Sequence, residues 1–317
     1  MRHFLIDTDT AGDDTTALLL LARTTNIALE GVTTVAGNVD VQQATENALY
    51  TLQIADRASQ VPVYAGASRP LLYPLQTATD VHGADGMGNA HYPPAIQRPE
   101  QTHAVEAICR LADQWAGRLE IVAIGPLTNI ALAVRLDPLL PKKIRHLWVM
   151  GGAVHAQGNV TPAAEFNFYV DPHAVHIVLD AGFPLTLLGW EICVRDGVLS
   201  DAFFEEIEGL QTPLTSFFLQ TNRLVRAFDK SHGVAGATQP DALLTAVALQ
   251  PTLATKSAPA FLQVAVDDNA TRGMTVADLL LLDRTKNATV VRGVDAGAFQ
   301  QRMRDLLEGN PLVAQER

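Results

Sequence analysis

The chain has little cysteine, few aromatic residues and a deficit of positive charge. Of its 317 residues two are cysteine and three are tryptophan. Cys109 (EAICRLA) and Cys193 (WEICVRD) lie far apart in apolar surroundings. They read as two buried free thiols, and their spacing supports neither a disulfide framework nor a thiolate metal site. Lys and Arg number 23 against 34 Asp and Glu, a formal net charge of −11. That balance argues against nucleic acid or an anionic membrane as the main partner. Apolar runs such as TALLLLA (16–22) fall far short of the roughly 20 residues that span a bilayer. Asp7 and Asp9 interrupt any amino-terminal apolar segment of the secretory kind, so a cytoplasmic protein is expected.

What the chain does have is apolar sequence in an alternating pattern. At 48% hydrophobic it can bury a large α/β core. HFLID, ALEGVTTVAGN, VPVYAG, LEIVAIG, IRHLWVMGG and PLTLLGW read as strands. Between them DDTTALLLLART, VQQATENALYTLQIADRA, THAVEAICRLADQWAG, PLTNIALAVRL (Pro126 at its first position) and DPHAVHIVLDAG read as helices. The chain is expected to be mostly helical from 200 to about 255, then to add the strands APAFLQVAV and ATVVRGV and the helix DAGAFQQRMRDLLEG. Near-continuous apolar strands alternating with helices predict an α/β fold with a largely parallel, doubly wound sheet. There is no repeat, low-complexity tract or linker, so residues 1–317 are expected to form a single domain. Segment 66–100 is a long loop rich in Gly and Pro, and its His82 and Asp85 favour a functional role.

The opening MRHFLIDTDTAGDDTT places Asp7, Asp9, Asp13 and Asp14 in one turn between a strand and a helix. Like charges at that spacing repel. Helix capping accounts for Asp13 and Asp14 but not for Asp7 and Asp9. The aspartyl-nucleophile phosphatase pattern, DxDx[TV], fails because Ala11 stands where Thr or Val is needed. A hard divalent cation fits an all-oxygen cluster and suits calcium, and no nearby His or Cys suggests zinc. In open parallel sheets ligands bind beyond the carboxyl ends of strands. Asp9 and Asp14, Asn38, Ile124 and Met150 all follow such ends.

Seven segments in order carry a resemblance: DTDTAGDD (7–14), VTTVAGN (32–38), VHGADGMGN (81–89), AIGPLTNIALA (123–133), VMGGA (149–153), GNVTPAAEFNFYVDP (158–172) and QPDAL (239–243). Together they resemble the nucleoside hydrolases, the calcium-dependent N-ribohydrolases, over most of the chain. The resemblance implies an open, mixed, mostly parallel sheet flanked by helices, in a homodimer or homotetramer. It implies hydrolysis of the N-glycosidic bond of ribonucleosides to ribose and a free base. Asp9, Asp14, Asp241 and the main-chain carbonyl of Ile124 would be calcium ligands. Asp9 would also be the general base on the calcium-bound water. Asp13, Asn38, Asn159, Glu165 and Asn167 would hold the ribose hydroxyls, Met150 and Phe166 would line the sugar pocket, and Asp7 would support from behind. Carboxylates around the sugar suit an oxocarbenium-like transition state.

Two features depart from the family pattern. Ala11-Gly12 replaces the common Pro-Gly, with the carboxylate spacing kept. Pro240, preceded by Gln239, stands where the family places His or Trp before the last metal-binding Asp. The leaving-group residue is therefore not carried over from that position. His82 in the VHG motif is the candidate to contact or assist the base, with loop ordering as its other role. Trp190, Arg223, Arg226 and His232 are secondary candidates for which packing is the plainer reading, and His155 and His176 read as structural. The competing expectations are a nucleoside- or ribose-binding protein with little turnover, and a hydrolase of a modified N-riboside.

Overall fold

The first strand, β1 (Arg2–Thr8), is buried at every position, as a central parallel strand must be when helices cover both faces of its sheet. Successive side chains alternate between two cores. Phe4 and Ile6 join one apolar cluster and Leu5 joins the other. The computed structural model describes residues 1–281 and 284–315. The remaining strands are β2 (Ile27–Thr34), β3 (Val63–Ala65), β4 (Leu119–Ala123), β5 (His146–Met150), β6 (Leu185–Leu188), β7 (Val198–Ser200), β8 (Gly236–Thr238), β9 (Ala254–Val264), β10 (Thr275–Asp278) and β11 (Ala288–Val294). Nine of them form one sheet in the order β10-β9-β11-β6-β5-β4-β1-β2-β3.

The pairings from β3 to β11 are parallel, and β9 and β10 add antiparallel strands at one edge. The expected open, mixed, mostly parallel sheet flanked by helices is thus the observed fold. The chain leaves β1 toward β2 and β3, then returns to β4 on the other side. This makes a topological switch point at the carboxyl end of β1, where open α/β sheets place their ligands. There Asp7 pairs in register with Thr33 of β2 and Ala123 of β4.

Helix Gly12–Arg23 leaves this point and is buried along almost its whole length, packed against helix Pro240–Leu249. Helices Ala104–Gln114, Thr128–Leu136 and Pro172–Asp180 cover the other face. The small antiparallel pair β7–β8 delivers the chain to Gln239, where helix Pro240–Leu249 begins.

Several local expectations are corrected. Region 200–255 contains the start of β9 and the short strand β8 besides its helices, and β10 has no counterpart in the sequence reading. β9 begins at Ala254, four residues before the apolar run that announces it. The helix after β4 starts at Thr128, leaving Pro126 two residues ahead of it in the turn. Trp190 opens a short helix, Trp190–Asp196, rather than ending a strand, because Gly189 breaks the extended run. Both cysteines are free, but only Cys193 is buried; Cys109 is half-buried on its helix. Segment 66–100 is loop apart from the single turn Thr79–His82 and an isolated bridge at Glu100. No helix among the described residues is long and apolar enough to cross a membrane.

Candidate active site

The four amino-terminal aspartates divide into a support and a cluster. Asp7 is fully buried, and its Oδ1 accepts hydrogen bonds from Thr33 Oγ1 at 2.6 Å and Asn129 Nδ2 at 2.8 Å. It ties β1 to β2 and to the helix after β4. Burial pushes its carboxyl up to about 7 against the pull of those two donors.

Asp9 sits in a pocket made of glycine. A Cβ at Gly37 would come within 2.1 Å of Asp9 Oδ2, and one at Gly125 within 2.8 Å of Oδ1. Its Oδ2 accepts from the Asn38 amide at 2.6 Å, whereas Oδ1 is buried with no hydrogen-bond partner among the described residues. Burial raises this carboxyl to about 7. Asn38 also reaches Asp14 Oδ2 with its side-chain amide at 3.3 Å. Asp14 accepts from Thr8 Oγ1 at 2.6 Å and from the Ala11 amide at 3.1 Å. Asp13 Oδ2 accepts from the Asp241 amide at 3.1 Å.

Asp13, Asp14 and Asp241, the first and last 228 residues apart in sequence, each present an oxygen within 4.8 Å of the others, and all three are buried. Burial first, then repulsion from neighbouring carboxylates (Asp14 on Asp13, Asp9 on Asp14, Asp13 and Asp14 on Asp241), holds all three above the usual carboxylate range. Asp9 adds to the repulsion felt by Asp14 and Asp241. At an effective dielectric of about 20, each pair of like charges 4 Å apart costs about 4 kcal/mol. Asp14 does cap its helix through Ala11, but a cap contributes only about 1 kcal/mol. Capping alone therefore does not account for the cluster. The donor set is oxygen only, and Asp9 Oδ1 has an uncommitted lone pair. These residues fit a hard divalent cation.

The predicted sugar residues other than Asp13 and Asn38 come from the end of β5 and the chain that follows it. Glu165 is buried and caps the helix Phe166–Val170; Oε1 accepts from the Asn167 amide and Oε2 from the Gly152 and Phe168 amides, at 2.8, 2.7 and 3.2 Å. Burial raises it to about 7 despite these three donors. Asn167 Nδ2 donates to the Ile124 carbonyl at 2.9 Å and lies 3.4 Å from the Met150 carbonyl. Ile124 and Met150 are themselves buried. Phe166 is half-buried, and exposed Asn159 commits its side-chain oxygen to the Phe166 amide at 2.9 Å. That is a loop-closing role for Asn159 in the described structure.

His82 ends its single helical turn against the start of the main helix, where a Cβ on Gly12 would lie 2.8 Å from His82 Nδ1. Burial lowers its imidazole to about 4, so it is neutral at physiological pH. The secondary candidates separate. Arg226 is committed to Asp201 at 2.6 Å and to the face of Phe204, and His232 is exposed beside the Phe228 carbonyl. Arg223 donates to the Gly88 carbonyl at 2.8 Å. Trp190 is half-buried, with its amide on the Gly152 carbonyl at the edge of the Glu165 loop. Gln239 is fully buried and bound to Asn222. His155 is exposed, and exposed His176 faces Asp180 on its own helix.

The sequence reading missed the supporting residues Thr8, Thr33 and Asn129 and the two glycines that seat Asp9. Only the VAGN and AIGP turns, each with a glycine after a strand, signalled them.

Comparison with known proteins places this site in context. The family model described as inosine-uridine preferring nucleoside hydrolase matches residues 4–301. An uncharacterised Schizosaccharomyces pombe protein is 36% identical over 301 residues, 94% of this chain and 96% of that one. The Escherichia coli pyrimidine-specific ribonucleoside hydrolase RihA is 33% identical over 311 residues, 96% and 97% of the two chains. Among solved structures, a plant nucleoside hydrolase superposes with a TM-score of 0.91 at 28% identity, covering 97% of this chain and 99% of its own. A purine-preferring ribonucleoside hydrolase from Gardnerella vaginalis does so at 0.89 and 29% identity, with 97% and 99% covered.

Proposed function

The chain belongs to the inosine-uridine preferring nucleoside hydrolase family and hydrolyses the N-glycosidic bond of ribonucleosides, and on that premise we propose how its residues divide the work. Asp9, Asp14, Asp241 and the Ile124 carbonyl hold a calcium ion, with Asp13 at its edge. The observation that carries this reading is the buried juxtaposition of Asp13, Asp14 and Asp241 beside the partnerless Asp9 Oδ1. When bound, calcium offsets the repulsion among the carboxylates and acidifies a water.

Asp9 takes the proton of the attacking water. Its fixed seat under Gly37 and Gly125 holds the carboxylate in one place, as a base for a water at the metal requires. Asp13, Asn38, Asn159, Glu165 and Asn167 receive the ribose hydroxyls, and Met150 and Phe166 line the sugar. The buried carboxylates stabilise positive charge as the C–N bond breaks. The bonding pair leaves with the base nitrogen, which ends protonated, and the water oxygen bonds to the sugar carbon. His82 meets the base as a neutral imidazole.

RihA is named for pyrimidine substrates and the Gardnerella enzyme for purines, so the relatives leave the base open. Assembly as a homodimer or homotetramer in the cytoplasm belongs to the same proposal and is read by light scattering and cell fractionation. The decisive experiment is reducing-sugar release from inosine, adenosine, guanosine, uridine and cytidine, with calcium and after chelation. Release that vanishes on chelation and returns with calcium is expected. Release that survives stringent chelation unchanged would remove the metal from the proposal.

A further inference from the structure

The segment between β9 and β10 folds back over the helix that bears Asn167, and one arginine anchors it there. Arg272 is only 4% exposed. Its guanidinium lies over two tyrosine rings, 3.6 Å from the Tyr73 centroid and 4.3 Å from that of Tyr169. Nε donates to the Tyr169 carbonyl at 3.1 Å and Nη2 to the Val170 carbonyl at 3.4 Å. These are terminal carbonyls of helix Phe166–Val170, groups that a helix cannot satisfy internally. The carboxylate near Arg272, Asp268 at 3.7 Å, is 73% exposed, so ion pairing contributes little. The planar, stacked fork is what holds.

Neighbouring residues extend the grip. Tyr73 donates its hydroxyl to the Val266 carbonyl at 2.7 Å, fastening its ring to the same segment. Gly273 (φ +75°) lets the backbone rest on Tyr169, where a Cβ would come within 2.6 Å of the Tyr169 Cα. Thr275 Oγ1 accepts from the Ala153 amide at 3.2 Å. The connection therefore touches both the 151–153 turn and the 166–170 helix.

We propose that Arg272 is a positioning residue for the sugar half of the site: stacked on Tyr73 and Tyr169, it binds the last carbonyls of the short helix that Glu165 caps and that bears Asn167, and so, as a clamp, fixes both residues. The proposal rests on the reading of Glu165 and Asn167 as ribose contacts. A five-residue helix has too few internal bonds to stand alone. Glu165 secures one end through its own carboxylate, and Arg272 secures the other.

The test is steady-state kinetics with the best nucleoside substrate, run in parallel on wild type, Arg272→Lys and Glu165→Gln, with melting temperatures. Lysine keeps the charge and loses the plane and the fork. Arg272→Lys is expected to raise KM about tenfold or more while kcat moves less, because sugar contacts act in ground and transition states alike. A folded Arg272→Lys with wild-type KM and kcat overturns the clamp. If Glu165→Gln raises KM and Arg272→Lys does not, the clamp alone fails. If Glu165→Gln changes neither constant, the sugar reading fails and the clamp with it. Should Arg272→Lys not fold, Tyr73→Leu removes one stacking face and is judged by the same criteria. Tyr73→Phe, which keeps the ring, is expected to restore most of the lost affinity.

Discussion

The side-chain amide of Asn167 donates to the main-chain carbonyl of Ile124 at 2.9 Å. This one bond joins the helix of the sugar loop to the end of β4, where the proposed calcium carbonyl lies. On the proposed roles, sugar recognition and metal binding share a residue that need not be a metal ligand. Groups that orient metal ligands from behind commonly change metal affinity by about 10–100-fold when removed. Asn167→Ala is expected both to raise the nucleoside KM and to weaken calcium binding about tenfold. Kinetics and calcium calorimetry on the same preparation check it, and unchanged calcium affinity would confine Asn167 to the sugar.

Removing the metal should also loosen the fold. With the cation gone, Asp9, Asp13, Asp14 and Asp241 face one another in a buried site. A ligand at about 100 times its Kd stabilises the native state by about 2.7 kcal/mol, a melting shift of about 4 °C for a chain of this size. Thermal melts after EGTA treatment should fall by that order, and calcium should restore them more effectively than magnesium, which demands stricter octahedral geometry. A melt indifferent to chelation would mean that the carboxylates accommodate one another by holding protons.

Glycine at 37 is as specific as the aspartate it seats. A methyl group there would lie 2.1 Å from Asp9 Oδ2, and its other neighbours, Asp9 Cγ and Pro126 Cδ, stand at 2.8 Å. Gly37→Ala must push Asp9 from its place or bend the turn. It is expected to reduce kcat at least about 100-fold, the scale of losing a general base. Asp9→Asn, nearly isosteric, should lose about 10²–10⁴-fold while melting no lower than wild type in metal-free buffer, since it exchanges a buried carboxyl for a neutral amide. Activity of Gly37→Ala near the wild-type level would show that the seat can widen.

The alternation of strands with helices and the acidic turn were legible because both are local patterns, apolar runs that alternate with helices and four carboxylates in eight residues. The pairing of Asp13 and Asp14 with Asp241 was legible only through the family resemblance, since no spacing rule links residues 228 positions apart. The β9–β10 hairpin escaped notice because Thr275–Asp278 is a short edge strand with an exposed Val276, a pattern shared with loops. The helix at Phe166–Val170 escaped because five residues carry no periodicity, and its cap, Glu165, is an uncommon one. The side chains that support Asp7 and Asp9 are ordinary Thr, Asn and Gly, identifiable only when the sheet brings them together.

His82 gives a pH prediction with a definite sign. Its imidazole titrates near 4 in the folded protein, because burial disfavours the cation, against 6.5 for an unperturbed histidine. Between those values the unfolded chain binds a proton that the folded chain does not. This residue's contribution is therefore constant above about pH 6.5 and is lost as pH falls toward 4, by an amount on the order of 3 kcal/mol over the whole window. His82→Gln should remove that component, so its melting temperature should fall less steeply than wild type between pH 6.5 and 5. The same neutral imidazole implies that kcat/KM carries no ionisation of His82 near 6 to 7. Any acid limb seen there in the wild type should persist in His82→Gln, because buried Glu165, raised to about 7, titrates in that range. An acid limb that disappears in His82→Gln would instead identify the histidine as a proton donor to the leaving base.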